Sequence, residues 1–130
     1  MVALRDEASK HAHVARGTHW LVDCHGVDIS LLADVDLLET MLCDAAADAG
    51  AHRLFQHFHR FGDGPDAGVT GVVLLAESHI TIHTWPEQRF AAIDLFLCGA
   101  THPERALVRI ERGLQPERIV TIRQDRGEEA

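Results

Sequence analysis

The chain contains a single lysine, Lys10, in 130 residues. Enzymes that use pyridoxal phosphate hold it on a lysine, and Lys10 lies in a polar N-terminal lead where no such pocket is expected, so that cofactor has no residue to hold it. Cysteine is also scarce. Cys24, Cys43 and Cys98 are odd in number and show no C-x-x-C spacing, which argues against a disulfide framework and for a reducing compartment. No run approaches the roughly 18 apolar residues that a membrane-spanning helix needs. The first 16 residues carry Arg5, Asp6, Glu7 and Lys10 but no apolar h-region, so no signal peptide is expected and the chain reads as cytoplasmic, without a membrane partner. Basic charge is short too: twelve Lys and Arg face twenty Asp and Glu, a formal charge of −8. That balance repels a phosphate backbone, speaks against nucleic acid as a partner and suits a cationic small molecule.

What is present fits one domain spanning residues 1–130, with enough length for a single core and too little for two. A hydrophobic content of 46% fits a globular chain. Residues 18–23 read as a first strand, stopped by a turn at Cys24-His25-Gly26. Asp34 or Asp36 then caps a helix whose apolar positions are Leu37, Leu38, Met41, Leu42, Ala45 and Ala46, with Gly50 as its stop. From residue 53 the period changes to two, and residues 53–61, 69–75, 80–85 and 90–97 are predicted strands. Between the first two of these lies a Gly-, Asp- and Pro-rich loop, residues 62–68. Pro103 opens a second helix with an apolar stripe at Ala106, Leu107, Ile110 and Leu114. Residues 118–123 close as a strand, followed by a charged tail. Adjacent strands in such runs predict an α+β fold, a two-layer α/β sandwich with an antiparallel sheet and helices on one face. The other face then needs a cover, for which a second protomer is the simplest supply.

The polar cluster Glu77-Ser78-His79-Ile80-Thr81-Ile82-His83-Thr84-Trp85-Pro86-Glu87 interrupts this pattern, placing proton-transfer groups inside a strand-like segment. Ser78 is not flanked as Gly-x-Ser-x-Gly, so a hydrolase elbow does not apply. His57 and His59 share one face of a strand, but no cysteine or carboxylate is spaced to complete a tetrahedral set, and no metal site is expected. Cys98, taken alone, is a small hydrophobe at a strand end. Thr70 and Glu87 say little by themselves, and Trp85 before Pro86 reads as a core aromatic.

The same cluster, with Phe90-Ala91-Ala92-Ile93-Asp94-Leu95-Phe96-Leu97-Cys98-Gly99, His59-Arg60-Phe61 and Gly68-Val69-Thr70-Gly71-Val72-Val73, resembles the bacterial and archaeal S-adenosylmethionine decarboxylase proenzymes over about residues 17 to 123. The resemblance implies a proenzyme that cuts itself between Glu77 and Ser78, giving a beta chain of residues 1–77 and an alpha chain of residues 78–130. It implies that Ser78 becomes a pyruvoyl group, the cofactor, and that His83 is the base removing the Ser78 α-proton. Thr70 stands where the family has serine and would hydrogen-bond the tetrahedral intermediate. Cys98 matches the proton donor to the substrate carbon, Phe61 the aromatic that stacks on adenine, and Glu87 the carboxylate at the ribose hydroxyls.

The implied product is the aminopropyl donor for spermidine synthesis, and the implied assembly is a homodimer of cleaved protomers with sites built from both. Decarboxylation of arginine or ornithine is an alternative, with Asp63 or Asp66 meeting the cation. A non-processing binding protein is another. Ser78 and His83 are five apart and would face opposite sides of one strand, so Ser78 is expected to stand before the strand begins.

Overall fold

The alternating and helical patterns resolve into elements over residues 16–127, the part described by a computed structural model of the chain. The N-terminal lead with Lys10 and the last residues of the charged tail lie outside the described residues. In order, the elements are β1 (Gly17–His25), α1 (Ile29–Leu32), α2 (Val35–Asp48), β2 (Arg53–Arg60), β3 (Val69–Leu75), β4 (Ser78–Trp85), β5 (Phe90–Cys98), α3 (Pro103–Leu114) and β6 (Arg118–Arg126). The strands form one 6-stranded sheet in the order β2-β3-β4-β5-β1-β6, and every neighbouring pair is antiparallel.

Period-two alternation decides which side each strand buries. In β4 the residues Ser78, Ile80, Ile82 and Thr84 are buried, and in β5 Ala91, Ile93, Leu95 and Leu97. These meet Leu38, Leu42 and Ala45 of α2 and Ala106, Ile110 and Leu114 of α3 in one core cluster. Each fully buried Ile or Leu contributes about 1.5–3 kcal/mol of transfer free energy. Among the described residues the opposite face carries no helix. Leu21, Phe55, Leu74, Trp85, Val120 and Ile122 are its exposed apolar residues.

Local chemistry sets the helix ends. The Asp34 carboxylate accepts from the Leu37 N–H at 3.1 Å and starts α2. Gly50, at φ 81°, supplies the left-handed turn beyond its end. Arg109 of α3 reaches back to α2, donating to Asp48 at 2.8 and 3.1 Å. That guanidinium holds the Asp48 carboxyl below its ordinary value.

Several expectations are corrected. Ser78 does not precede its strand; it opens β4 and pairs with Leu75, because the hairpin turn needs only Ala76 and Glu77. β1 continues through Cys24 and His25, which pair on both sides with β5 and β6, so the turn comes at Gly26, at φ 70°. β6 runs on to Arg126, its last residues pairing with Gly17, Thr18 and His19, so the charged tail begins as ordered strand. Trp85 is no core residue: it lies on the helix-free face and is 39% exposed. The single-turn helix α1, capped by the Asp28 side chain, was not anticipated.

This packing gives a direct expectation. Ile82 is 0% exposed and Leu54 is 58% exposed. Ile82→Ala should lower the unfolding free energy in urea by about 3 kcal/mol, whereas Leu54→Ala should change it by about 0.5 kcal/mol or less.

Candidate active site

The residues singled out from the sequence gather at the two ends of β4. At its C-terminal end, His83 pairs directly with Thr70 of β3, and both project to the helix-free face. Thr70 Oγ1 and His83 Nδ1 are 3.0 Å apart, a hydrogen bond whose direction follows the imidazole tautomer. The next residue, Thr84, points the other way and is buried. Its hydroxyl accepts from the Val69 N–H at 2.9 Å and donates to the Leu32 carbonyl at 2.8 Å. This fixes the strand ends that carry Thr70 and His83 against α1. Pro86 then turns the chain into a short 3₁₀ segment that carries Glu87.

Phe61 and Asp66 come from the loop between β2 and β3. With Thr70, His83, Trp85 and Glu87 they line a cleft of about 490 Å³. Asp63 is exposed and is not part of that lining. Phe61 is 62% exposed and meets His59 edge-on at 4.6 Å. Trp85 stacks on Phe90 at 5.6 Å. Two carboxylates beside aromatic surface suit a ligand with a flat ring and a positive charge.

Glu77, Ser78 and Cys98 lie at the other end. The hairpin from β3 to β4 has two loop residues, Ala76 and Glu77, and only Glu77 has positive φ, 64°. The favoured two-residue hairpin turns need positive φ at the first central residue or at both. A side chain larger than glycine in this left-handed position adds strain of about 1–3 kcal/mol. The strain sits beside the Glu77–Ser78 peptide bond. Ser78 is 7% exposed, and its hydroxyl makes one long bond, to the Ala76 carbonyl at 3.4 Å.

Cys98 closes β5. The pairing of His79 with Phe96 puts Cys98 level with Glu77, two rungs past the last shared pair. It is half-buried, belongs to the helix-free face, and borders a cleft of about 230 Å³ with Trp20, Thr101 and Arg123. At about 3.3 Å per residue, Ser78 and His83 are roughly 16 Å apart along β4 and point to opposite faces. One protomer therefore brings together Phe61, Thr70, His83 and Glu87. Glu77, Ser78 and Cys98 share only the other end of the sheet, with Ser78 facing the helices and Cys98 the helix-free side.

Between the ends, on the helix-free face, lies a group that the sequence reading missed. His19 of β1 sits 3.7 Å from Asp94 of β5, Thr81 donates to Asp94 at 3.4 Å, and His79 and His19 both contact Phe96. Partial burial, and next the charge of His19, push the His79 imidazole below its ordinary pKa, with Asp94 opposing. The only signal in the sequence is the shared parity of these positions, and it becomes visible once β1 is registered on β5. Among the described residues no three His, Cys, Asp or Glu side chains are grouped to hold a metal ion. A larger groove, about 780 Å³, runs between α2 and α3 and holds none of the residues above.

Comparison with known proteins places the sequence and the fold. A family model described as S-adenosylmethionine decarboxylase matches residues 18–127. The S-adenosylmethionine decarboxylase proenzyme 2 of Bacillus cereus is 48% identical over 112 residues, covering 85% of this chain and 89% of that one. The corresponding proenzyme of Thermotoga petrophila is 39% identical, covering 85% and 84%. The crystal structure of the adenosylmethionine decarboxylase from Aquifex aeolicus superposes with a TM-score of 0.79 at 36% identity, over 88% of this chain and 92% of that one. A Trypanosoma brucei AdoMetDC monomer superposes at 0.62 with 16% identity over 82% of this chain and 45% of that one, a likeness of fold alone.

The central histidines yield a pH expectation. Because the folded chain disfavours the His79 imidazolium, the unfolded chain takes up the proton first as pH falls. The contribution is present above the ordinary histidine range, is lost as pH drops through about 6.5, and levels off below the lowered folded value. Urea unfolding at about pH 7.5 and 5.5 should show a smaller loss of stability in His79→Gln than in the parent. Equal losses would contradict the assignment.

Proposed function

The chain belongs to the S-adenosylmethionine decarboxylase family, and from that premise we propose that it cuts itself between Glu77 and Ser78 and then decarboxylates S-adenosylmethionine, giving the aminopropyl donor for spermidine synthesis. The observation that carries the reading is the strained Glu77–Ser78 turn at one end of β4, with a hydrogen-bonded threonine–histidine pair at the other. The names of the relatives favour S-adenosylmethionine over arginine or ornithine.

In the cleavage, the Ser78 hydroxyl adds to the Glu77 carbonyl carbon and the peptide C–N bond breaks, leaving an ester. The strained turn lowers the cost of leaving amide planarity. With its proton on Nδ1, His83 donates to Thr70 Oγ1. That tautomer leaves Nε2 free as a base and the threonine hydroxyl hydrogen free for the developing oxyanion. Nε2 takes the Ser78 α-proton as the Glu77 carboxylate departs, and hydrolysis of the resulting dehydroalanine releases ammonia. The residues fit a pyruvoyl group at position 78, since Ser78 heads a strand and follows a strained link. That group would supply an electron-accepting carbonyl, filling the electron-sink role that pyridoxal phosphate fills elsewhere. Cys98 supplies the proton to the substrate carbon from its thiol. Phe61 stacks on the adenine, and Glu87 binds the ribose hydroxyls.

Both halves of the site come together in a homodimer of cleaved protomers. The apolar helix-free face is the surface for it, because exposed patches of this kind mark interfaces. A two-fold axis between stacked sheets and across the strands lays the Ser78 end of one β4 over the His83 end of the other. Each site then takes Ser78 and Cys98 from one protomer and Thr70 and His83 from its partner. No helix among the described residues is long and apolar enough to cross a membrane. The three cysteines are unpaired, which supports a cytoplasmic setting.

Co-expression tests the shared site. Ser78→Ala and His83→Ala should each remain uncut alone. Together they should yield cut chains that are all His83→Ala, because only those retain Ser78. If the pair stays uncut, or if His83→Ala cuts itself alone, the partner's His83 is not the base. Cys98→Ala should cut itself yet lose turnover by about 10²-fold or more. Release of labelled CO₂ from S-adenosylmethionine should exceed that from arginine or ornithine in parallel assays. Release from one of those amino acids alone would overturn the substrate assignment.

A further inference from the structure

We infer that Arg60 is a positioning residue of the substrate cleft, holding the loop that carries Phe61 and Asp66 in the shape that receives the substrate. The inference rests on the function proposed above for its reading of that cleft.

Among the described residues the loop has little else to hold it. Between Arg60 and Val69 its backbone makes two bonds of its own, Phe61 N–H to the Gly68 carbonyl at 2.9 Å and Ala67 N–H to the Gly64 carbonyl at 3.1 Å. Its residues 61–66 are exposed and none belongs to the core. Gly62 sits at φ 128°, a conformation favoured by glycine alone. A segment of Gly, Asp, Pro and Ala with so few contacts ought to sample many shapes.

Arg60 restricts it from the helix side of the sheet. Its half-buried guanidinium donates from Nε to the Ala33 carbonyl at 2.8 Å, from Nη1 to the Gly62 carbonyl at 2.7 Å, and from Nη2 to the Gly64 carbonyl. One end of the fork is therefore on the loop and the other on the residue that ends α1. Leu32, the neighbour of Ala33, is in turn held by the Thr84 hydroxyl, next to His83. Phe61 and Asp66 on one wall of the cleft, and His83 on the other, are referred to the same fixed post. Three donors in fixed directions are a property of arginine, and a lysine ammonium cannot reach all three carbonyls at once.

The test uses the self-cleaved protein with Arg60→Met, Arg60→Lys and, as a control on the same strand, Arg53→Met. In Arg60→Met, KM for S-adenosylmethionine should rise about tenfold or more, with kcat nearly unchanged and self-cleavage complete, since the cost is ordering the loop around the ligand. Amide hydrogen exchange in the loop, at Phe61 and Ala67, should quicken by about tenfold. Arg60→Lys should recover part of both effects, and Arg53→Met should show neither. Unchanged loop exchange in Arg60→Met overturns the inference whether or not the protein decarboxylates S-adenosylmethionine. So does a loss of kcat, KM and thermal stability together, which marks a structural role only. Failure of the unmodified protein to release CO₂ would instead count against the proposed function, leaving the exchange result to judge Arg60.

Discussion

The β3–β4 ladder runs without interruption from the Thr70–His83 pair to the Leu75–Ser78 pair, and this register governs the chemistry available to the chain. A strand with no bulge sends residues five apart to opposite faces and spaces them by about 16 Å. The serine and the histidine are thus separated by the same hydrogen bonds that make the sheet stable. In the proposed dimer a second copy, inverted along the strand direction, completes the site. A monomer that brought the two groups together would have to break the ladder and expose the buried Ile80 and Ile82.

The two faces of the sheet divide the work. The helix-covered face holds the core and hides Thr84, whose hydroxyl links β3, β4 and α1. Ser78 also faces that side. The helix-free face carries Thr70, His83 and Cys98, the apolar patch and, between the two ends, the group of His19, His79, Thr81 and Asp94. Burying that group against an inverted copy would place two such groups near the symmetry axis, where unpaired charge is costly. His79 already favours its neutral form in the single chain, which suits such a location.

Much of the fold is legible in the sequence because its signals are local. Period-two alternation in Phe90–Cys98 and the β-branched run Val69–Leu75 mark their strands, and Asp34 marks the start of its helix. What escaped depends on contacts distant in sequence. The five-residue spacing of Ser78 and His83 suggests a serine outside the strand, and the turn at Ala76 and Glu77 has no glycine or asparagine to announce that Ser78 opens β4 instead. Trp85 before Pro86 resembles a core residue until the uncovered side of the sheet is seen. The length of β6 is set by pairing with Gly17, Thr18 and His19, about a hundred residues away in the chain. The motifs around Ser78, His83 and Cys98 suggested what these residues do, but motif spacing carries no information on whether they meet in one protomer. The bracing by Arg60 was invisible for the same reason, since its partner Ala33 lies on another element.

The central claim is that a chain of this composition, with one lysine, makes its own carbonyl cofactor from Ser78. Denaturing mass spectrometry of the purified protein after prolonged incubation, with and without a carbonyl-trapping hydrazine, tests it most directly. The account expects fragments of residues 1–77 and 78–130, the second lacking a free amino terminus and gaining the mass of the hydrazone. A persistent intact chain of 14.4 kDa, or a second fragment that still begins with an unmodified serine, would contradict it.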